Sequence, residues 1–368
     1  MTTLEVSVFV AVIAARFLVP LFIFRFPLPA IIAALILDGV DQTIFQTMGY
    51  DPPGYQGYDK AMDVFYLAIA YLAMLRNWTS MAAFAIGRAL YFYRLVGVVA
   101  FEFSQERALL LIFPNTFEYF FIAYELIRLR WDPTRLSRSA WLAIAAGIWI
   151  LVKLPQEYWI HIAQRDMTDE LAAHAWLGPL LLVVVSVILY AVWRLLVPRL
   201  GPVAWPWRVV ADPLPESVDE ASERALWTAK YARVWSIPTL EKVLLVGLIS
   251  VIFGQVLPGL RTTGTQLFIG IAAVVLANAA MTLAFARAGR SVEGAFAAFG
   301  TRVLINVSLV IVGGWLLGRG GGDSNQPATL FFILLLSLIT TLHDRYWPVH
   351  AVRDHEDPPD TAVRRAGS

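Results

Sequence analysis

The sequence predicts an all-α, polytopic transmembrane helix bundle. Three observations predict it. The 368-residue chain is 58% hydrophobic and 15% charged, against about 25% charged in a soluble domain. Its mean hydropathy is +0.63. Apolar windows of about 20 residues, the length that crosses a bilayer, recur along the whole chain.

Taken in order, the windows fall at 5–24, 28–48, 59–75, 79–101, 108–127, 139–162, 174–197, 239–258, 265–286, 294–317 and 328–345. They predict about eleven spanning helices. The count becomes about ten if 28–48 re-enters the membrane, since it starts at Pro27-Leu28-Pro29 and carries Asp38 and Asp41. The first window, in MTTLEVSVFVAVIAARFLVPLF, lacks a basic leader and is interrupted by Arg16, so it reads as a span rather than a signal peptide. Arg and Lys collect at Arg25, Arg76, 128–138, 194–242, Arg287, Arg290 and the tail. The alternate loops carry only Lys60, Arg107, Arg165, Arg261 and Arg319. The positive-inside rule then places the N-terminus outside and the C-terminus in the cytoplasm of a multi-pass cell (plasma) membrane protein.

Four segments are expected. Residues 1–197 form a polar N-terminal bundle of about seven helices, by the same window length, with an outward-facing cavity. Residues 198–238 form a cytoplasmic linker, in which Ser217 and Glu220 make a capping box. Trp227, Tyr231, Val234 and Trp235 would share a face of its helix, which lies on the inner leaflet or packs on the bundle. Residues 239–346 form a four-helix scaffold rich in Ala, Gly, Val and Leu, with Arg302 as its deep charge and Asn278, Arg302 and Asn306 as a hydrogen-bonding cluster. Residues 347–368 read as a disordered cytoplasmic tail.

Charges inside apolar windows carry the functional signal. A single Arg, Lys or Asp at the centre of a span costs about 2.5–3.5 kcal/mol, so such residues should face one another or water. Those of the first six windows are Arg16, Asp38, Asp41, Asp63, Arg88, Arg94, Glu118, Lys153 and Glu157; with His161 they form the expected substrate or ion pocket. At about 1.5 Å per residue, Arg16, Asp38, Arg88 and Glu118 come near the midplane, suggesting the pairs Arg16–Asp38 and Arg88–Glu118. Asp41, Asp63, Arg94, Lys153 and Glu157 lie higher, rimmed by Gln42, Gln156, Asp59 and His161. Lys153, Glu157 and His161 follow one another at i, i+4 and i+8 on one helix face. Pro114 and Pro155 remove backbone donors next to Glu118 and Lys153, as happens where a bundle opens around a cavity.

Three readings compete. Carboxylates and a histidine opening to one side suit a proton- or ion-coupled transporter or permease. Arg88, Arg94 and Lys153 would also clamp the phosphate of a lipid-linked substrate, with Asp41, Asp63 or Glu157 as base, so whether the chain is an enzyme stays open. A non-catalytic assembly subunit would use helices 7–11 for homo- or hetero-oligomer contacts. The bilayer is the expected partner, with a small-molecule, ion or lipid ligand and no nucleic acid. No cofactor is expected: the chain has no cysteine, and its one span-buried lysine, Lys153, sits beside a proline. No metal is expected either, since His161, Asp166, Asp169, Glu170 and His174 match no established ligand spacing.

Overall fold

The computed structural model describes residues 3–47, 55–163, 165, 170–171, 173–256, 264–289, 295–316 and 326–356. The expected loops at 48–54, 257–263 and 317–325 lie outside these residues. So do Asp166, Asp169, residues 357–368 and the side chain of Gln42.

Every regular element among the described residues is helical. The chain forms α1 (Thr3–Leu18), α2 (Pro27–Thr47), α3 (Tyr55–Asn77), α4 (Met81–Ser104), α5 (Ala108–Ile112), α6 (Thr116–Arg128) and α7 (Arg138–Ile148). It continues through α8 (Leu154–Glu157), α9 (Leu177–Leu196), α10 (Ala221–Tyr231), α11 (Ile237–Val256), α12 (Gly264–Arg287), α13 (Ala295–Leu316) and α14 (Gln326–Glu356). Each apolar window of the sequence overlaps one of these helices or a consecutive run of them. Among the described residues eight helices are long and apolar enough to cross a membrane, and a further apolar stretch, Ala297–Leu309, is shorter. The chain is therefore a helical bundle with the composition and lengths of an integral membrane protein.

Contacts divide the chain into two units, residues 1–78 with 211–368, and residues 79–210. In the first, α3 is the central helix. Ala68, Ile69, Ala70, Tyr71 and Leu72 are fully buried on successive positions, so every face of α3 meets protein, with α11 and α14 among its neighbours. Helix α1 turns into a tighter 3-10 segment over Val19–Phe24. Pro20 explains the change, because its ring would clash with the Arg16 carbonyl of a continuing α-helix.

In the second unit, α4 packs against α6 and α7. Gly97 permits a close approach: a Cβ there would lie 2.1 Å from the Cβ of Phe113. The segment after α9 returns along the end of α6, with Ala204 and Arg208 N–H donating to the Arg130 and Leu129 carbonyls and Trp205 Nε1 to the Arg128 carbonyl. Helix α9 is the opposite of α3. Leu177 is its one buried residue, and Leu182, Leu189 and Trp193 are each more than 60% exposed.

Two sequence expectations need correction. Helix α10 starts three residues later than Ser217 suggests, and its capping box is made by Glu220 and Glu223. It packs on α12 and α14, and its Arg224 is buried and donates to the Val218 carbonyl. Residues 347–356, placed in the disordered tail, continue α14. The reason is burial: Val349, His350 and Arg353 face the unit's interior, and Arg353 donates to the carbonyls of Arg76 and Pro213. Pro348 does not stop the helix, because tertiary packing overrides its lost donor.

Candidate functional site

Nine of the sequence-predicted residues gather into two clusters, one in each unit: Arg16, Asp38, Asp41 and Asp63 in the first, and Arg94, Glu118, Lys153, Glu157 and His161 in the second. The first is built on Arg16, which the change of helix type at Pro20 leaves in the last turn of α1. Arg16 is 3% exposed, and its guanidinium meets four carboxylates. Nη2 donates to Asp38 Oδ1 at 2.6 Å and Asp63 Oδ1 at 3.2 Å, while Nη1 donates to Asp41 and, at 3.3 Å, to Asp59 Oδ1. Asp38 and Asp41 are three residues apart on α2, and Asp59 and Asp63 are four apart on α3, so both pairs present one helix face. Asp41 is fully buried, whereas the side chains of Asp38, Asp63 and Asp59 keep 24%, 26% and 33% exposure. One carboxylate oxygen from each of Asp38, Asp59 and Asp63 lies within 4.8 Å of the others, close enough to share a proton or hold a cation.

The expected Arg16–Asp38 contact is present. The expected separation into a midplane layer and a higher layer is not: Arg16 reaches Asp38 and also Asp41, Asp59 and Asp63. The reason is reach, since a guanidinium carries five donors in a fork on a long stem and spans more than one helical turn. Among the described side chains of this cluster, one positive charge meets four carboxylates.

The second cluster forms where two helices lose their regular geometry. Between α5 and α6 the chain breaks at Phe113–Asn115, around Pro114, and leaves the Asn115 N–H free to donate to Glu157 Oε1 at 3.2 Å. Asn115 Nδ2 donates to Glu118 Oε2 at 2.9 Å, with Glu118 in the first turn of α6, where the helix dipole favours a carboxylate. Around Pro155, α8 is flanked by π-helical turns over Trp149–Lys153 and Tyr158–Ile162. The i→i+5 bonds from Leu154 N–H to the Trp149 carbonyl and from Ala163 N–H to the Tyr158 carbonyl (2.9 Å) define them. Such bulges recur at functional sites.

On this distorted helix Lys153 Nζ lies 4.0 Å from Glu118 Oε2 and 4.1 Å from the centre of the Tyr119 ring. Glu157 Oε2 lies 3.0 Å from His161 Nε2. The expected stripe of cation, carboxylate and imidazole is thus present, with Lys153 and Glu157 buried and His161 partly exposed. Arg94 Nη1 donates to the Phe113 carbonyl at 2.9 Å, and the Arg88 guanidinium lies 5.8 Å from the Phe84 ring. Among these four side chains, the cations Lys153 and Arg94 equal the carboxylates Glu118 and Glu157 in number.

A third group, in the first unit, was missed by the sequence reading. Lys242 pairs with Asp344, and Arg302 Nη2 lies 2.8 Å from the other oxygen of Asp344 and donates to Thr282 Oγ1 at 2.9 Å. Tyr71 donates to Glu241, whose Oε1 lies 3.6 Å from His343 Nε2. The α11–α14 half is therefore less quiet than its composition suggests. Asn278 and Asn306 do bond, Nδ2 to Oδ1 at 2.7 Å, and Asn306 passes the chain on to Ser337, while Arg302 goes to Asp344 and Thr282. The adjacent pairs Glu241-Lys242 and His343-Asp344 were the available signal, hidden because they fall near window ends, where charge reads as interfacial.

No known protein family matches this chain, and neither curated proteins nor solved structures give a match.

Proposed function

We propose that this protein is a proton- or cation-coupled secondary transporter of a multi-pass cell membrane, and that the Arg16 cluster is its coupling site. One observation carries the reading: four carboxylates surround one buried guanidinium, and three of them keep partial exposure. Such an excess of carboxylates among the described side chains is costly in a low-dielectric bundle unless protons or cations offset it. Loading and unloading that offset is the elementary act of ion coupling, because the bundle then has two charge states to couple to two arrangements. The balanced cluster around Lys153 serves a different end. Its π turns and the break at Pro114 supply bending points in the second unit.

The same reading takes the apolar windows as about eleven spans with the N-terminus outside. Contacts at one end of the first unit support the shared side of several basic segments. Arg76 donates to the Asp212 carbonyl, Ala211 N–H to the Arg25 carbonyl, and Arg353 to the Arg76 and Pro213 carbonyls. The phosphate-clamp reading gains less support, since Arg94 is bonded to the Phe113 carbonyl and Lys153 lies beside Glu118.

The test is charge displacement in proteoliposomes on a solid-supported membrane, with a panel of small solutes applied under a proton or sodium gradient. The expected result is a solute-dependent current that disappears in Asp38→Asn and Asp63→Asn and persists in Glu216→Gln. A solute-dependent current that Asp38→Asn and Asp63→Asn leave intact, or the absence of any gradient-dependent current, overturns the proposal.

A further inference from the structure

A cavity of about 210 Å³ opens in the first unit between α10, α11, α12 and α14. It lies at the end of α11 that follows the long polar connection, and Lys242 is only five residues into that helix, about 8 Å along it. The cavity therefore sits at the depth where a span meets the polar edge of a bilayer. Trp227 and Tyr231 of α10, their rings 5.5 Å apart, form one wall, and Trp347 of α14 contributes to another. Aromatic residues of this kind collect at headgroup level.

The polar lining is cationic in balance. Lys242 and Arg233 line the cavity, and Arg302 stands behind Asp344 and Thr282. The carboxylate of Asp344 is shared between Lys242 and Arg302, and Glu241 lies behind His343, so with Arg233 three cations stand against two carboxylates. His343, stacked on Trp347 with ring centres 5.7 Å apart, is 1% exposed; its Nε2 lies 3.6 Å from Glu241 Oε1, and its Nδ1 has no hydrogen-bond partner among the described residues. Ser236 and Thr239 add hydroxyls at the first turn of α11, where the helix dipole favours an anion. Cations, one unpartnered imidazole nitrogen and a helix N-terminus beside aromatic walls make a receptor for an anion with an apolar body.

We propose that this cavity binds the phosphate headgroup of an anionic phospholipid from the adjoining leaflet, with Lys242 and Arg233 as its charge partners. Basic pockets between membrane helices recognise headgroups through this chemistry. The proposal is independent of ion coupling at Arg16.

The test uses the full chain purified in a non-ionic detergent. Thermal unfolding is followed while short-chain phosphatidylglycerol, phosphatidylcholine of the same chain length, or inorganic phosphate is added. Thr228→Trp fills the cavity from the α10 side without touching a charge; Arg233→Gln and Lys242→Met remove charges. The expected result is a saturable rise in Tm with phosphatidylglycerol alone, abolished in Thr228→Trp. Its apparent affinity falls about tenfold, or about 1.4 kcal/mol, in Lys242→Met and by less in Arg233→Gln. Should Lys242→Met fail to fold, Thr228→Trp and Arg233→Gln decide. An equal rise in Thr228→Trp, or an equal rise with phosphatidylcholine, overturns the site. A rise with inorganic phosphate that Thr228→Trp abolishes overturns the lipid as the source and assigns the cavity to a soluble phosphate compound.

Discussion

The Arg16 cluster and the Lys153 cluster use the same side-chain types in opposite proportions. Around Arg16, one cation meets four carboxylates, three of them partly exposed. Around Lys153, two cations and two carboxylates meet with asparagine and imidazole partners, on helices bent by Pro114 and Pro155. The second arrangement neutralises itself and holds a distorted backbone in place. Among the described side chains, the first does not reach that balance. A balanced set of buried charges fixes geometry, whereas an unbalanced set with access to water is prepared to exchange a charged particle.

The largest effect should come from Arg16→Ala, which takes the guanidinium away from four carboxylates at once, the fully buried Asp41 among them. Removing one partner of a buried pair costs about 3–5 kcal/mol, so Arg16→Ala should lose most folded protein in detergent. A paired Asp41→Asn change should restore part of it. If Arg16→Ala unfolds at the wild-type temperature, the cluster does not hold its three helices together. Next comes Gly97→Ala, whose added methyl would overlap Phe113 and cost about 1–3 kcal/mol in thermal unfolding. An unchanged Tm would mean that α4 and the break at Pro114 separate freely.

A double-mutant cycle of Lys153→Met and Glu118→Gln should give a coupling of about 0.5–3 kcal/mol, the double variant being less damaged than the sum of the singles. Additivity would remove that pair from the account. The smallest effect is expected for Asp59→Asn. Its side chain is one-third exposed and it relieves rather than creates excess charge, so stability should change by less than about 1 kcal/mol. A large loss of stability there would make the Arg16 cluster resemble its self-neutralised counterpart.

Much of this was legible in the sequence, for a physical reason. Bilayer-length apolar windows require helices whatever their packing, and all of them overlap helices here. The Arg16–Asp38 contact followed from depth along two helices joined by a short turn, and the Lys153–Glu157–His161 stripe from helical spacing. What the sequence hid depends on contacts between distant segments. Depth arithmetic placed Asp41 and Asp63 in a layer apart from Arg16 because it measures backbone position, while a long guanidinium stem bridges layers. The Lys242–Asp344–Arg302 group joins residues on three helices, and nothing local in Glu241-Lys242 or His343-Asp344 marks them as partners. The division of the chain, in which the first three helices join residues 211–368, is likewise a property of contacts alone.

The most direct test of ion coupling is a measurement of the carboxyl groups themselves. Infrared spectra of the purified protein, recorded with and without sodium across its stable pH range, should contain a protonated-carboxyl band or a cation-shifted carboxylate band. That band should be lost in Asp38→Asn and Asp63→Asn and kept in Glu157→Gln. Four fully ionised aspartates, insensitive to both pH and cation, would contradict the account.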